Sequence, residues 1–98
     1  MEEKLKAFCD KITKETQQRL RADNLGCEAN MVNAISHSHK GKKYTRVDIG
    51  QSGKYMVDNI TGEIFGIKAY GVINKKQPFG TLDTINGFYW GCYKAYKI

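Results

Sequence analysis

Apolar residues recur at helical spacing near the start of the chain, and that stripe restricts the fold more than any other feature. Leu5, Phe8, Cys9, Ile12, Thr16 and Leu20 fall on one face at i, i+3, i+4 and i+7 steps. They predict an amphipathic helix over residues 2–22. Glu2 and Glu3 at its start and Arg19 and Arg21 at its end complement the helix dipole. Asn24 and Gly26 supply the stop. Packing of an apolar face, rather than propensity, provides most of a helix's stability. The stripe therefore demands a cover, and the rest of the chain reads as the sheet that provides it.

Tyr44-Thr45-Arg46-Val47-Asp48-Ile49 is rich in β-formers and ends at Gly50. Lys54-Tyr55-Met56-Val57 is a second strand. Asp58-Asn59-Ile60-Thr61-Gly62-Glu63 joins it to a third, Ile64 to Tyr70, as a tight hairpin with Gly62 at positive φ. Along that third strand Phe65, Ile67 and Ala69 read as the face that meets the helix, leaving Lys68 and Tyr70 exposed. The helix residues Leu5, Phe8, Ile12 and Leu20 are then expected on Phe65, Ile67 and Val57. Residues 27–37 fit two patterns. Met31, Val32 and Ile35 suit a short helix, whereas Met31, Asn33, Ile35 and His37 suit one face of a strand. The strand is favoured because His39-Lys40-Gly41-Lys42 makes a natural turn into the next one. Val72 to Gly80, with its lysines, Pro78 and glycine, reads as an exposed loop. Asn86-Gly87 reads as a two-residue hairpin turn between Leu82–Ile85 and Phe88–Trp90.

A chain of 98 residues has room for one domain, residues 1–98, and none for a cleft between two lobes. The formal net charge of +6 is unevenly placed. Residues 1–39 carry six Lys or Arg and six Asp or Glu, whereas residues 40–98 carry ten against four. That asymmetry points to a polyanionic partner, nucleic acid or an acidic protein surface, although such a charge also serves solubility alone. Cys9, Cys27 and Cys92 are odd in number and widely spaced, which fits a reducing cytoplasm better than a disulfide framework. No apolar run suggests a signal peptide or a membrane span. Asn59-Ile60-Thr61 fits a glycosylation sequon but is better explained as part of a turn.

Few constellations suggest catalysis. His37 and His39 would share a strand face, yet two imidazoles do not fill a metal site that needs three or four ligands. Cys9 lies on the apolar helix face and Cys92 among aromatics, so both read as packed rather than nucleophilic. None of the ten glycines falls in a phosphate-loop pattern. Lysines and aromatic rings do interleave through the C-terminal half, and stacking rings beside phosphate-neutralising lysines is the chemistry that single-stranded nucleic acid requires. The same rings would equally serve as core beneath solvated lysines.

Tyr44-Thr45-Arg46-Val47-Asp48, Gly53-Lys54-Tyr55-Met56-Val57, Thr61-Gly62-Glu63-Ile64 and Gly66-Ile67-Lys68-Ala69-Tyr70-Gly71 carry a resemblance. Over residues 42–85 the chain resembles small uncharacterised proteins of tailed bacteriophages and prophages. The resemblance implies a phage context, hence the cytoplasm of a bacterial host, and no catalytic residues.

The expectation is an α+β fold with an N-terminal amphipathic helix packed on a small antiparallel sheet of hairpins. Its function is expected to be that of a non-enzymatic basic module without cofactor or metal, engaging nucleic acid through Lys40, Lys42, Lys43, Arg46, Lys68, Tyr70, Lys75 and Lys76. The alternative is an anti-CRISPR-like protein–protein inhibitor of a host enzyme or defence system, with an acidic host protein surface as the partner in place of nucleic acid. No membrane partner is expected, and a homodimer is compatible with the sequence.

Overall fold

The computed structural model describes residues 2–50, 52–69, 72–91 and 95–98, with the backbone alone at 68 and 69. Helix α1 spans Glu2–Ala22 and buries Leu5, Phe8, Cys9, Ile12 and Thr16, the stripe expected from its spacing. Leu20, at the end of that stripe, is only half-buried. A short helix α2, Glu28–Asn33, follows. Five antiparallel strands then form one sheet in sequential order: β1 Ser36–Lys40, β2 Tyr44–Ile49, β3 Ser52–Asp58, β4 Glu63–Ala69 and β5 Val72–Thr81. The chain finishes with a 3-10 turn at Ile85–Gly87 and a two-stranded ribbon of β6, Phe88–Tyr89, against β7, Tyr96–Lys97. The fold is α+β, a helix on an antiparallel sheet. Among the described residues no helix is long and apolar enough to cross a membrane.

The core lies between α1, one face of the sheet and the C-terminal segment. Phe8, Ile12, Val47, Val57, Ile64 and Trp90 are fully buried there. Each such side chain contributes on the order of 1.5–3 kcal/mol relative to leaving it exposed. Trp90 is the centrepiece. Its ring stands 4.7 Å from Phe8, 5.3 Å from Tyr55, 5.5 Å from Phe88 and 6.1 Å from Phe79, centroid to centroid. Its indole N–H donates to the Ile85 carbonyl at 2.9 Å, so its one polar atom is satisfied inside the core. The C-terminal segment is tied to α1 by the Trp90 backbone N–H donating to Glu15 Oε1 at 2.8 Å.

Strand pairing fixes which side chains share this face, because directly opposed residues in an antiparallel pair point the same way. Val47 opposes Tyr55, Thr45 opposes Val57, and Val57 opposes Ile64. All of these are buried. Ile64 therefore faces the helix, and Phe65 and Ile67 face away from it. This reverses the expected assignment of faces in β4. With the turn of the β3–β4 hairpin setting the register, Val57 and Phe65 cannot lie on one side. The hairpin itself forms as expected. Gly62 has φ +76°. The Asp58 carboxylate accepts from the backbone N–H groups of Ile60 at 2.8 Å and Thr61 at 3.0 Å.

Three other expectations are corrected. Residues 28–33 are helix, not strand. β2 ends at Ile49, and Gly50, at φ +60° with its N–H donating to the Ile35 carbonyl at 2.9 Å, turns the chain away, so the residues before Ile35 have no strand to pair with. The helix-forming Glu28, Ala29 and Met31 then prevail, and Gln17 of α1 donates to the Met31 carbonyl at 3.0 Å. Residues 72–81 form strand β5 instead of a loop, satisfying the outer backbone groups of β4. Pro78 is tolerated because β5 is an edge strand. Asn86-Gly87 is not a hairpin turn: Phe88 and Tyr89 pair with Tyr96 and Lys97, not with the preceding residues. The side chain of Lys68 and all of Tyr70, Gly71 and Cys92 lie outside the described residues.

Candidate nucleic-acid interface

The second face of the sheet is left uncovered among the described residues. α1 and the C-terminal segment pack on the opposite side, and α2 packs against α1. A row of opposed residues crosses all five strands on the open face: His39 against Arg46, Arg46 against Met56, Met56 against Phe65, and Phe65 against Pro78. Beside it Ile67 opposes Ile73, and Tyr44 opposes Asp58. Met56, Phe65, Ile67, Ile73 and Tyr44 are all partly exposed, so their apolar surface is available from this side.

Asp48 organises the β1–β2 end of the row. Its side chain is almost fully buried, at 8% exposure, and takes charged or polar partners on both oxygens. Arg46 Nε donates to Oδ1 at 2.9 Å, and His39 Nε2 lies 3.3 Å from Oδ2. His37 stands directly opposite Asp48 in the register. A buried carboxylate requires such partners, and here they hold the Arg46 guanidinium and the His39 ring against the sheet.

The turn between β1 and β2 is held from the neighbouring hairpin by a single residue. Asn59 donates from Nδ2 to the Gly41 carbonyl at 2.9 Å and from its backbone N–H to the Lys43 carbonyl at 3.0 Å. Its Oδ1 accepts from the Thr45 hydroxyl at 2.6 Å. Asn59 thus belongs to a turn. It also fixes the backbone that presents Lys42 and Lys43, and the Lys43 ammonium sits 5.5 Å from the centroid of the Tyr44 ring.

The expected site residues fall into separate groups. Lys42, Lys43 and Arg46 lie at the β1–β2 corner of the open face. Lys40 opposes the core-facing Thr45, so it points to the helix side and lines a groove with Glu2 and Lys6. Lys75 and Lys76 are exposed on the far edge, in a bulge of β5 where Asn74 opposes Gly66 and Pro78 opposes Phe65. Lys68 lies in β4. Sequence reasoning missed Met56, Phe65, Ile67 and Ile73 as a partly exposed patch. The signal that could have found them is parity: once Val57 is core, the hairpin makes Ile64 core and turns Phe65 outward. Of the cysteines, Cys9 is buried as expected, with burial pushing its thiol pKa up, and Cys27 is exposed. His37 and His39 are exposed on one strand face, and no group of three or more metal-ligating side chains occurs among the described residues.

No family model, curated protein or solved structure matches this chain.

Proposed function

We propose that this chain is a non-enzymatic module that binds nucleic acid on the open face of its sheet. The observation that carries this reading is the uncovered row from His39 to Pro78, with partly exposed rings at Tyr44 and Phe65 and cations at both sides. Lys42, Lys43 and Arg46 stand at one side and Lys75 and Lys76 at the other. Phosphates are neutralised by the flanking cations while bases gain stacking and apolar contact from the middle. The excess of positive charge in residues 40–98 adds a long-range attraction for a polyanion. A phage origin, resting on the likeness over residues 42–85, suits this role.

Binding to a pool of mixed single- and double-stranded DNA tests it. Affinity is expected to fall steeply as salt rises, and no measurable binding near physiological salt would remove the reading. Inhibition of a host protein is the second reading, and a different surface favours it. Leu25 and Val32 are 50% and 57% exposed, Leu25 lines a shallow crevice with Leu20, Ala34 and Thr16, and among the described residues the buried Thr16 hydroxyl has no hydrogen-bond partner.

A further inference from the structure

We infer that the ligand of the open face is a short single strand laid across the β-strands, not a duplex; this rests on the nucleic-acid reading above. Three features of the face point the same way. Its centre is apolar, with Met56, Phe65, Ile67 and Ile73 between the cations of the β1–β2 corner and those of the β5 edge. A duplex presents phosphates outward and gains little from such a centre, whereas unpaired bases offer their own apolar faces to it.

The relief of the face is also wrong for a duplex. A major groove is read by an element that enters a channel roughly 12 Å wide and 8.5 Å deep. Here no described element stands on the open side. Only short turns, Gly41–Lys43 and Asn59–Gly62, border it at one end. Finally, Asp58 and Glu63 also belong to this face or its rim. Two phosphate backbones held side by side would meet these carboxylates. A single backbone can pass from the Arg46 corner to the Lys75–Lys76 bulge over neutral side chains.

The length of the row sets the footprint. Five strands spaced by about 4.8 Å span about 19 Å from β1 to β5. A stacked strand advances about 3.4 Å per nucleotide, so about six nucleotides fill the row. Phe65, at the fourth strand, is the ring on which a base stacks.

Fluorescence anisotropy with labelled oligo(dT) of about three, six, twelve and twenty-four nucleotides, and with a mixed-sequence duplex of the longest size, tests this at low salt. Affinity per site is expected to rise up to about six nucleotides and then level off, with the duplex at least about tenfold weaker. Phe65→Leu keeps an apolar side chain on a partly exposed face and is expected to weaken single-strand binding by about fivefold or more. Its salt dependence should stay as in the unaltered chain. A duplex that binds as tightly as the single strand, a per-site affinity that keeps climbing past about twelve nucleotides, or unchanged binding by folded Phe65→Leu would each overturn the inference. Duplex-preferring binding at the same face would leave the broader reading standing. Failure of every oligonucleotide and of the duplex to bind would remove both.

Discussion

Val57 and Ile64 oppose each other across the β3–β4 hairpin, and neither exposes any surface to solvent. This pair decides the parity of β4 and thereby separates the face that stabilises the fold from the face that remains open. Ile64→Ala is expected to cost about 2–5 kcal/mol, since the cavity it leaves lies in the packed core. Phe65→Ala, one residue away, removes a partly exposed ring and should cost clearly less. Urea denaturation of the two variants checks the difference; equal losses would mean that the faces are misassigned.

Gly62 tests the hairpin through backbone conformation alone. At φ +76° a β-carbon would sit in ordinary contact with Leu82, 3.9 Å away, so space is not the obstacle. Gly62→Ala should destabilise by about 1–2 kcal/mol through the left-handed conformation. Gly62→Asn should cost less, because asparagine tolerates that region. Thermal melts of the two variants provide the comparison.

Asp58 carries the acid sensitivity of the same turn. The hydrogen bonds from the Thr61 and then the Ile60 backbone N–H groups favour its ionised form and lower its pKa from the ordinary 3.8. The native state thus holds fewer protons than the unfolded chain. The stabilisation is present above the unfolded value and is lost as pH falls through the lower native one. Melting temperature is expected to drop below about pH 4, and Asp58→Asn should flatten part of that drop. Carboxyl chemical shifts followed through the acid range would show the lowered titration directly.

Asn59→Ala withdraws the acceptor of the Thr45 hydroxyl, a group on a residue only 1% exposed, and frees the Gly41 carbonyl. An orphaned buried hydroxyl costs about 1–3 kcal/mol. Amide exchange should quicken in the Gly41–Lys43 turn as well as at residue 59, because the Asn59 side chain anchors that turn and the Asn59 N–H donates to the Lys43 carbonyl.

Charge reversal at the β5 bulge, Lys75→Glu with Lys76→Glu, should weaken nucleic-acid binding and flatten its salt dependence, by about one unit of slope for each phosphate that is no longer neutralised. Both residues are exposed, so stability should change by no more than about 0.5 kcal/mol. Unchanged affinity in the folded double variant would take this edge out of the interface.

Much of the architecture was legible because it rests on local signals. The spacing of Leu5, Phe8, Cys9 and Ile12 specifies α1, and Tyr44 to Ile49 specifies β2 by composition. Asn59 and Gly62 mark the hairpin. The failures share one cause: they depend on which segments meet. Lys75, Lys76 and Pro78 look like loop residues until β4 requires a partner, and the bulge then lets the strand keep its lysines in solvent. Glu28–Asn33 is too short for its period to decide between helix and strand, and the end of β2 at Ile49 settles it. Of the site, the cations at Lys42, Lys43, Arg46, Lys75 and Lys76 were visible as charge. The apolar middle was not, because Phe65 and Ile67 can be placed outward only after the partner of Val57 is known.

Trp90 gives the molecule a built-in optical divide. It is the only tryptophan in the chain, has no exposed surface, and is ringed by Phe8, Tyr55, Phe79 and Phe88 on the helix side of the sheet. Its emission should shift to the red only when α1 and the C-terminal segment separate from the sheet. A ligand on the open side, a full sheet thickness away, should leave the emission maximum in place. One intrinsic signal therefore follows folding alone, and titrations at the open face need a label carried by the ligand.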